Sequence, residues 1–373
     1  MFTHNPELKH IFNQGNQHKG HQQTALALAV LAYAENIDNP AALTTPLSRI
    51  GHKHRSLDIR PEQYAIVGGH LLSAIREVLG PAATPPLLEA WAVAYGELAG
   101  LMSSLEAGLY ADTVAREGGW SGWRPFVIEK KVQETAEITS FYLYPSDGGK
   151  AASFVPGQYI SVQVYLPELG LRQPRQYSLS DAPNESYYRI SVKRENGLHP
   201  SPDGMISNHL HNNLQAGDAL QLTAPAGDFV LDTSKQTPVV LVSGGVGQTP
   251  FISMCEYLIA TGSQREVVWV HGARNRSLHA FREKLADWSR RSDQFSSYVF
   301  YQSPEGSLPA EDWYEGIVDL TVLGNAVLRP GADYYLCGPT PFLRKQFRDL
   351  VSLGVRGSAI HYEEFGPQVL QLQ

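Results

Sequence analysis

The hydrophobic period of this chain changes at Gly118-Gly119-Trp120, and no single packed layer can accommodate both regimes. An apolar face repeating every three to four residues packs as a helix, whereas one repeating every second residue packs as a strand. Upstream of the change, Thr24–Asn36 is rich in Ala and Leu. Pro61 opens a further helix at its first turn, and Gly80-Pro81 closes it. Leu88, Trp91, Tyr95, Leu98, Met102, Leu105 and Leu109 then form one stripe on a long helix. Downstream, Phe126–Val132, Ile138–Tyr144, Tyr159–Tyr165 and Tyr188–Lys193 read as strands, punctuated by Pro145, Pro156-Gly157 and Pro183-Asn184. They predict a small antiparallel barrel. A third regime begins near Gln236. There the apolar run Val239–Ser243 leads into glycines and a helix, and Glu266–His271 and Tyr334–Cys337 are further strands with helical patterns between them. That alternation predicts parallel βαβ units.

The expected fold class is therefore multidomain: an all-α domain over 1–117, an antiparallel β-barrel over 118–234 and an α/β parallel-sheet domain over 235–373. A length of 373 residues suits two or three domains. The formal net charge of −7 argues against a nucleic-acid partner bound through bulk basicity. The most apolar run, Ala25–Ala34, is too short to span a bilayer, and the opening MFTHNPELKH lacks the features of a signal peptide. Cys255 and Cys337 alone imply no disulfide framework. These features predict a cytoplasmic protein. Asn196–Gly204, with its glycines and prolines, reads as an exposed loop.

Six motifs carry the chemistry. Arg175-Gln176-Tyr177-Ser178 closes a predicted strand. There an arginine can neutralise a pyrophosphate while the tyrosine packs on a ring and the serine bonds its edge. Pro156-Gly157-Gln158-Tyr159 precedes it, and Gly204-Met205-Ile206-Ser207 follows as a glycine turn able to offer backbone N–H groups to phosphate. Ser243-Gly244-Gly245-Val246-Gly247-Gln248-Thr249-Pro250 joins a strand to a helix, bringing backbone and helix N-terminus to a dinucleotide's phosphates. Taken alone, it is equally a structural strand–helix corner. Cys337-Gly338-Pro339 ends a strand at the crevice where open α/β sheets bind ligands, although a lone cysteine there reads first as a buried structural one. Finally, His361-Tyr362-Glu363-Glu364-Phe365-Gly366-Pro367 sets an aromatic where it can cover a flavin.

Seven of the 13 histidines fall in the first 80 residues. His54 ends a helical segment, Tyr64 follows in Pro61-Glu62-Gln63-Tyr64, and Glu106 lies on the long helix. A neutral imidazole that donates its second ring N–H to a carboxylate is a more basic metal ligand. The three residues are thus candidates for ligand, hydrogen-bond donor and carboxylate, although sequence spacing does not establish that they meet.

From about residue 120 onward the chain resembles the ferredoxin–NADP reductase superfamily, which binds FAD through R-x-Y-S and a pyridine dinucleotide through G-G-x-G-x-T-P and C-G-P. The whole chain resembles the bacterial and yeast flavohaemoglobins, in which a globin domain precedes that reductase pair. The resemblance implies that His54 is the proximal ligand of haem b, supported by Tyr64 and Glu106 as catalytic partners, with Phe12, Gln22, Leu26 and Lys53 in the haem pocket. It implies FAD binding by Tyr159, Arg175, Gln176, Tyr177, Ser178, Gly204, Met205, Ile206, Ser207, Glu364, Phe365, Gly366 and Pro367. It further implies NAD(P)H binding by Gly245, Val246, Gly247, Gln248, Thr249, Pro250, Cys337, Gly338 and Pro339, with Glu363 tuning the flavin's potential. Arg274 and Arg276 follow a strand near where an adenine ribose would lie; they are candidates for a 2′-phosphate contact and equally for plain surface arginines.

Two departures from the family stand out. The chain begins almost at the Phe12 segment, so the expectation is a globin domain lacking its first two helices and the distal tyrosine they carry. Glu364 stands where many relatives have cysteine. The implied activity is that of a nitric oxide dioxygenase, passing electrons from NAD(P)H through FAD to haem and converting NO and O2 to nitrate without an obligate protein partner, as a monomer. Two alternatives are an NAD(P)H–flavin reductase with a non-functional globin remnant, and a haem-based gas-binding module.

Overall fold

The computed structural model describes residues 1–12, 21–197, 203–304 and 313–365. Its chain divides into two compact units. One comprises Met1–Pro125, Ile160–Gln176 and Leu220–Asp228; the other comprises the remaining segments.

The first unit carries the helices α1 (His21–Glu35), α2 (Thr44–Ser56), α3 (Pro61–Leu79) and α4 (Pro85–Ala115). Pro61 occupies the first turn of α3, where its missing N–H costs nothing. The Gln63 side chain accepts the Arg60 N–H at 3.0 Å, and Gly80 ends the helix. On α4 the predicted stripe is fully buried only at Leu98 and Met102, and the same face continues through Glu106 and Thr113. A carboxylate on the buried face of a helix requires partners. Tyr33, Leu43, Leu98 and Met102 form the apolar core here, with Leu47, Ile50, Tyr64 and Leu105 packed against it.

A six-stranded sheet follows, built from β1 (Arg124–Gln133), β2 (Ile138–Pro145), β3 (Tyr159–Leu166), β4 (Leu171–Ser178), β5 (Tyr188–Lys193) and β6 (Ala219–Leu222), in the order β4-β3-β6-β1-β2-β5. The β1–β2, β2–β5 and β3–β6 pairings are antiparallel. Phe126, Ile128, Phe141, Leu143, Tyr188 and Ile190 are fully buried, and the Phe126 and Tyr188 rings stack at 5.4 Å. One helix, α5 (Met205–Asn212), lies between β5 and β6 in sequence.

The second sheet is parallel, in the order β10-β9-β8-β7-β11-β12. Its strands alternate along the chain with helices: β7 (Val239–Gly244), α6 (Thr249–Ala260), β8 (Val267–Ala273), α7 (Arg282–Arg291), β9 (Phe295–Tyr301), β10 (Trp313–Glu315), α8 (Leu320–Leu323), β11 (Asp333–Cys337), α9 (Thr340–Ser352) and β12 (Ile360–Glu363). Val239 and Leu241 face one apolar cluster while Val240 and Val242 face the other. A strand covered on both faces reads as a continuous apolar run, which is why Val239–Ser243 stands out in the sequence. The chain thus runs from helices through an antiparallel sheet to a parallel one, as its periodicity predicts. No helix among the described residues is long and apolar enough to cross a membrane.

Gly157 has φ +105°, and a side chain there would press on the Phe229 carbonyl, Val230 and Met254. Gly157→Ala combines backbone strain with overlap, so it is expected to lower stability by about 2–4 kcal/mol. Denaturant unfolding followed by tryptophan fluorescence checks this.

Candidate functional site

Three helices bring His54, Tyr64 and Glu106 together. His54 lies in the last turn of α2, Tyr64 in the first turn of α3, and Glu106 about two-thirds of the way along α4. His54 Nδ1 is 2.8 Å from Glu106 Oε1 and 2.8 Å from the Tyr64 hydroxyl, while the Tyr64 hydroxyl lies 2.5 Å from Glu106 Oε1. Tyr64 has one hydroxyl proton and donates it to the carboxylate. Nδ1 must then be the imidazole's protonated nitrogen, with Glu106 and Tyr64 as its acceptors, so the ring's lone pair is on Nε2. Glu106 is 2% exposed. Burial, reinforced by the Glu106 charge, pushes the Tyr64 hydroxyl far above its ordinary pKa, so it remains a donor at every physiological pH. Tyr95 donates to the Tyr64 carbonyl at 2.8 Å and is itself pushed up to about 12 by burial.

The remaining candidate haem-pocket residues are placed as follows. Phe12 follows the 3₁₀ turn Pro6–His10, with its ring edge-on to Phe2 at 5.5 Å. Leu26 lies on α1, 39% exposed, and Lys53 immediately precedes His54. Gln22 belongs to α1, and its side chain lies outside the described residues.

The R-Q-Y-S motif forms the end of β4. Arg175 Nη1 donates to the Pro174 carbonyl at 2.7 Å, and Gln176 Nε2 donates to Ser56 Oγ at 2.6 Å. Tyr177 is half-buried and Ser178 is buried. Tyr159 opens β3. Gly204 is the N-cap residue of α5, and Met205, Ile206 and Ser207 are its first three positions, whose backbone N–H groups have no partner within the helix. Ile206 is 1% exposed, so its side chain belongs to the core and only its N–H is offered. The Ser207 hydroxyl donates to the Gly204 carbonyl at 3.0 Å and accepts the Glu195 N–H at 3.1 Å, fixing the turn.

The glycine-rich segment forms a 3₁₀ turn, Gly245–Gln248, after which Thr249 and Pro250 open α6. Gly247 lies against the Cys337 carbonyl and the Gly338 nitrogen so closely that no Cβ fits. The loop and the C-G-P segment are thereby pressed into one surface. Val246 packs against the apolar core, and Thr249 Oγ1 donates to the Val246 carbonyl at 3.1 Å. Gln248 is 1% exposed, and neither of its amide atoms has a partner among the described residues. Pro339 is the N-cap of α9.

Cys337 has the burial that a lone cysteine at a strand end suggests in the sequence. It is fully buried within the apolar cluster, paired in register with Ser243 and Glu363 across the neighbouring strands. Glu363 ends β12; Glu364 accepts from the Thr340 hydroxyl through Oε1, while its Oε2 is buried without a partner among the described residues. Phe365 is 48% exposed, and Gly366 and Pro367 lie outside the described residues. Arg274 pairs with Glu137, and Arg276 opens a short 3₁₀ turn. Sequence reasoning overlooked Arg55 and Ser56, which directly follow His54 and are almost wholly buried. The only signal for them is that proximity. It also overlooked a buried pair of imidazoles, His271 and His279, tilted by 30° with centroids 4.6 Å apart, with His271 bonded to Ser243.

Burial raises the thiol pKa of both Cys255 and Cys337, with nearby Glu256 and Glu363 adding to the effect. A raised pKa means less thiolate at any given pH, and the thiolate is the reactive form. Native protein at pH 8 is therefore expected to resist iodoacetamide at both positions and to take up two labels once denatured, as read by intact-mass spectrometry.

Family comparisons match the order of these parts. The globin family model matches residues 1–102, the oxidoreductase FAD-binding domain residues 125–231, and the oxidoreductase NAD-binding domain residues 241–347. The chain is 50% identical to a flavohemoprotein of Rhizobium meliloti over 99% of its own length and 92% of that protein's. It superposes on the flavohemoglobin of Malassezia yamatoensis, solved with bound FAD and heme, at a TM-score of 0.85 and 29% identity, covering 98% of this chain and 91% of that one. A flavohem-like FAD/NAD-binding domain of the nitric oxide dioxygenase of Vibrio cholerae is 38% identical over 65% of this chain and 99% of that one, at a TM-score of 0.58. The globin match starts at the first residue, and the expectation of a globin domain missing its first two helices is not borne out. The chain belongs to the flavohemoprotein family, with a globin domain followed by oxidoreductase FAD-binding and NAD-binding domains.

Proposed function

We propose that this protein is an NAD(P)H-dependent nitric oxide dioxygenase that converts NO and O2 to nitrate, acting as a cytoplasmic monomer with domains over 1–117, 118–234 and 235–373. The observation that carries the reading is the His54–Tyr64–Glu106 cluster. Its donor set fits haem: Nδ1 is committed to a buried carboxylate, and Nε2 holds the lone pair a metal requires. When bound, haem b supplies an iron that takes electrons singly and FAD converts a hydride's electron pair into single electrons. Glu106, by holding the Nδ1 proton, fixes the tautomer and makes His54 a stronger donor. Tyr64 gives the same carboxylate a second hydrogen bond and so holds its orientation. Phe12, Gln22, Leu26 and Lys53 complete the haem pocket in this reading.

On the reductase side, the donor chemistry suits a flavin dinucleotide. Arg175 and the open N–H groups of Met205, Ile206 and Ser207 suit a pyrophosphate, and Tyr159, Gln176, Tyr177 and Ser178 would hold the ring system and ribityl chain. Gly245, Val246, Gly247, Gln248, Thr249, Pro250, Cys337, Gly338 and Pro339 would orient NAD(P)H. Glu363 would place negative charge where it disfavours the anionic reduced flavin, Glu364 and Phe365 would border the same ring, and Gly366 and Pro367 are assigned to it from the family pattern alone. NADH is the expected donor, with NADPH tolerated through Arg274 and Arg276.

His54→Ala tests the reading. Purified wild-type protein is expected to show haem and flavin bands and NADH-driven NO loss with matching nitrate. The variant should lose haem and NO consumption while retaining NADH–dye reduction. A wild-type protein with flavin alone that reduces dyes and leaves NO untouched would overturn the dioxygenase reading in favour of a simple reductase. Separately, Arg175→Ala removes a charge-assisted phosphate contact and should weaken FAD binding roughly tenfold to a hundredfold, read by flavin release on dilution.

A further inference from the structure

With Gly51, Arg55 and Ser56 are the buried residues of α2, and they follow His54 directly. Ser56 has one hydroxyl proton, which goes to the Lys53 carbonyl at 2.7 Å. Toward Gln176 Nε2, 2.6 Å away, the hydroxyl is therefore an acceptor. The Ser56 carbonyl accepts the Thr223 hydroxyl proton at 3.1 Å. The Arg55 guanidinium donates to the Ala224 carbonyl at 3.5 Å and to that of Pro225. Two residues before the ligand, His52 Nδ1 accepts the Gly227 N–H at 3.3 Å. Apart from Lys53 on α2 itself, these partners lie on β4 or just after β6 and share one compact unit with α2. Buried polar groups paired in this way cannot slide past one another without leaving a donor or acceptor unpaired.

We propose that Ser56 is a positioning residue for electron transfer from flavin to haem. Through Gln176 it fastens the helical turn bearing His54 to β4 at the residues Arg175 and Gln176 of the flavin-binding motif. The proposal rests on the assignments of His54 and R-Q-Y-S made above. A serine that served stability alone would change unfolding and leave the partition of electrons between acceptors untouched. One NADH delivers two electrons to the flavin; an indophenol dye takes both, while two ferric haems take one each.

The test uses the full-length holoprotein carrying Ser56→Ala, mixed anaerobically with NADH under carbon monoxide, which traps ferrous haem. Haem reduction is expected to slow about tenfold, because small displacements between reacting centres carry penalties of that order, while indophenol reduction stays at the wild-type rate. A readout independent of turnover accompanies it. The Leu57 and Ile59 amides, which donate to the His54 carbonyl at 3.0 and 3.1 Å, should exchange with deuterium faster in the variant. Thr223→Val, which removes the hydrogen bond to the Ser56 carbonyl, should shift both readouts in the same direction and carries the test if Ser56→Ala does not fold. Haem reduction at the wild-type rate, or haem and dye reduction falling in equal proportion, would overturn the proposal while leaving the dioxygenase reading intact. A wild-type protein that took up no haem would overturn both.

Discussion

The Glu106 carboxylate lies 2% exposed on the buried face of α4, where a charge is costly unless it is fully hydrogen-bonded. Tyr64 and His54 supply the bonds, and each does so from a different helix. The positions of α2 and α3 relative to α4 are therefore fixed by one anion as well as by the apolar contacts of Tyr33, Leu43, Leu98 and Met102. The same bonds set the tautomer of His54. Structure and chemistry cannot be separated here: the interaction that orders the bundle also aims the lone pair.

From that point the architecture extends through the last turn of α2. Arg55 and Ser56 tie the helix that carries His54 to Gln176 on β4 and to Thr223, Ala224 and Pro225 just after β6. On the dinucleotide side the decisive constraint is closeness of a different kind. Gly247 has no room for a side chain against Cys337 and Gly338, so the glycine turn and the C-G-P segment are two edges of one surface. The fold thus holds each motif by contact with a second segment remote in sequence.

How much of this was legible in the sequence follows from the range of the interactions. Pro61 and Gly80 bound their helix as read, because those signals act within one turn. Val239–Ser243 was visible because both faces of its strand are buried, whereas the three-residue β10 and the mixed polar pattern of Phe295–Tyr301 gave no comparable mark. The residue types mark His54, Tyr64 and Glu106 as a set, yet their meeting depends on how three helices cross, which no spacing encodes. Cys337 reads first as a buried cysteine and is one, since the strands on both sides of β11 and the helix layer above it cover the thiol. Ser56 was silent because its burial is created by strands more than a hundred positions further along.

The strand order of the parallel sheet bears on how the protein is made. β7 is central, with β8 on one side and β11 on the other, and its neighbour β11 is joined to it only after α6, β8, α7, β9, β10 and α8 have been laid down. During synthesis, Val239 to Ser243 emerge long before Asp333 to Cys337 exist to pair with them. For that interval one edge of an apolar strand presents bare N–H and C=O groups. The nascent chain is therefore exposed to edge-to-edge association until its last quarter leaves the ribosome, and slow elongation there lengthens the hazard.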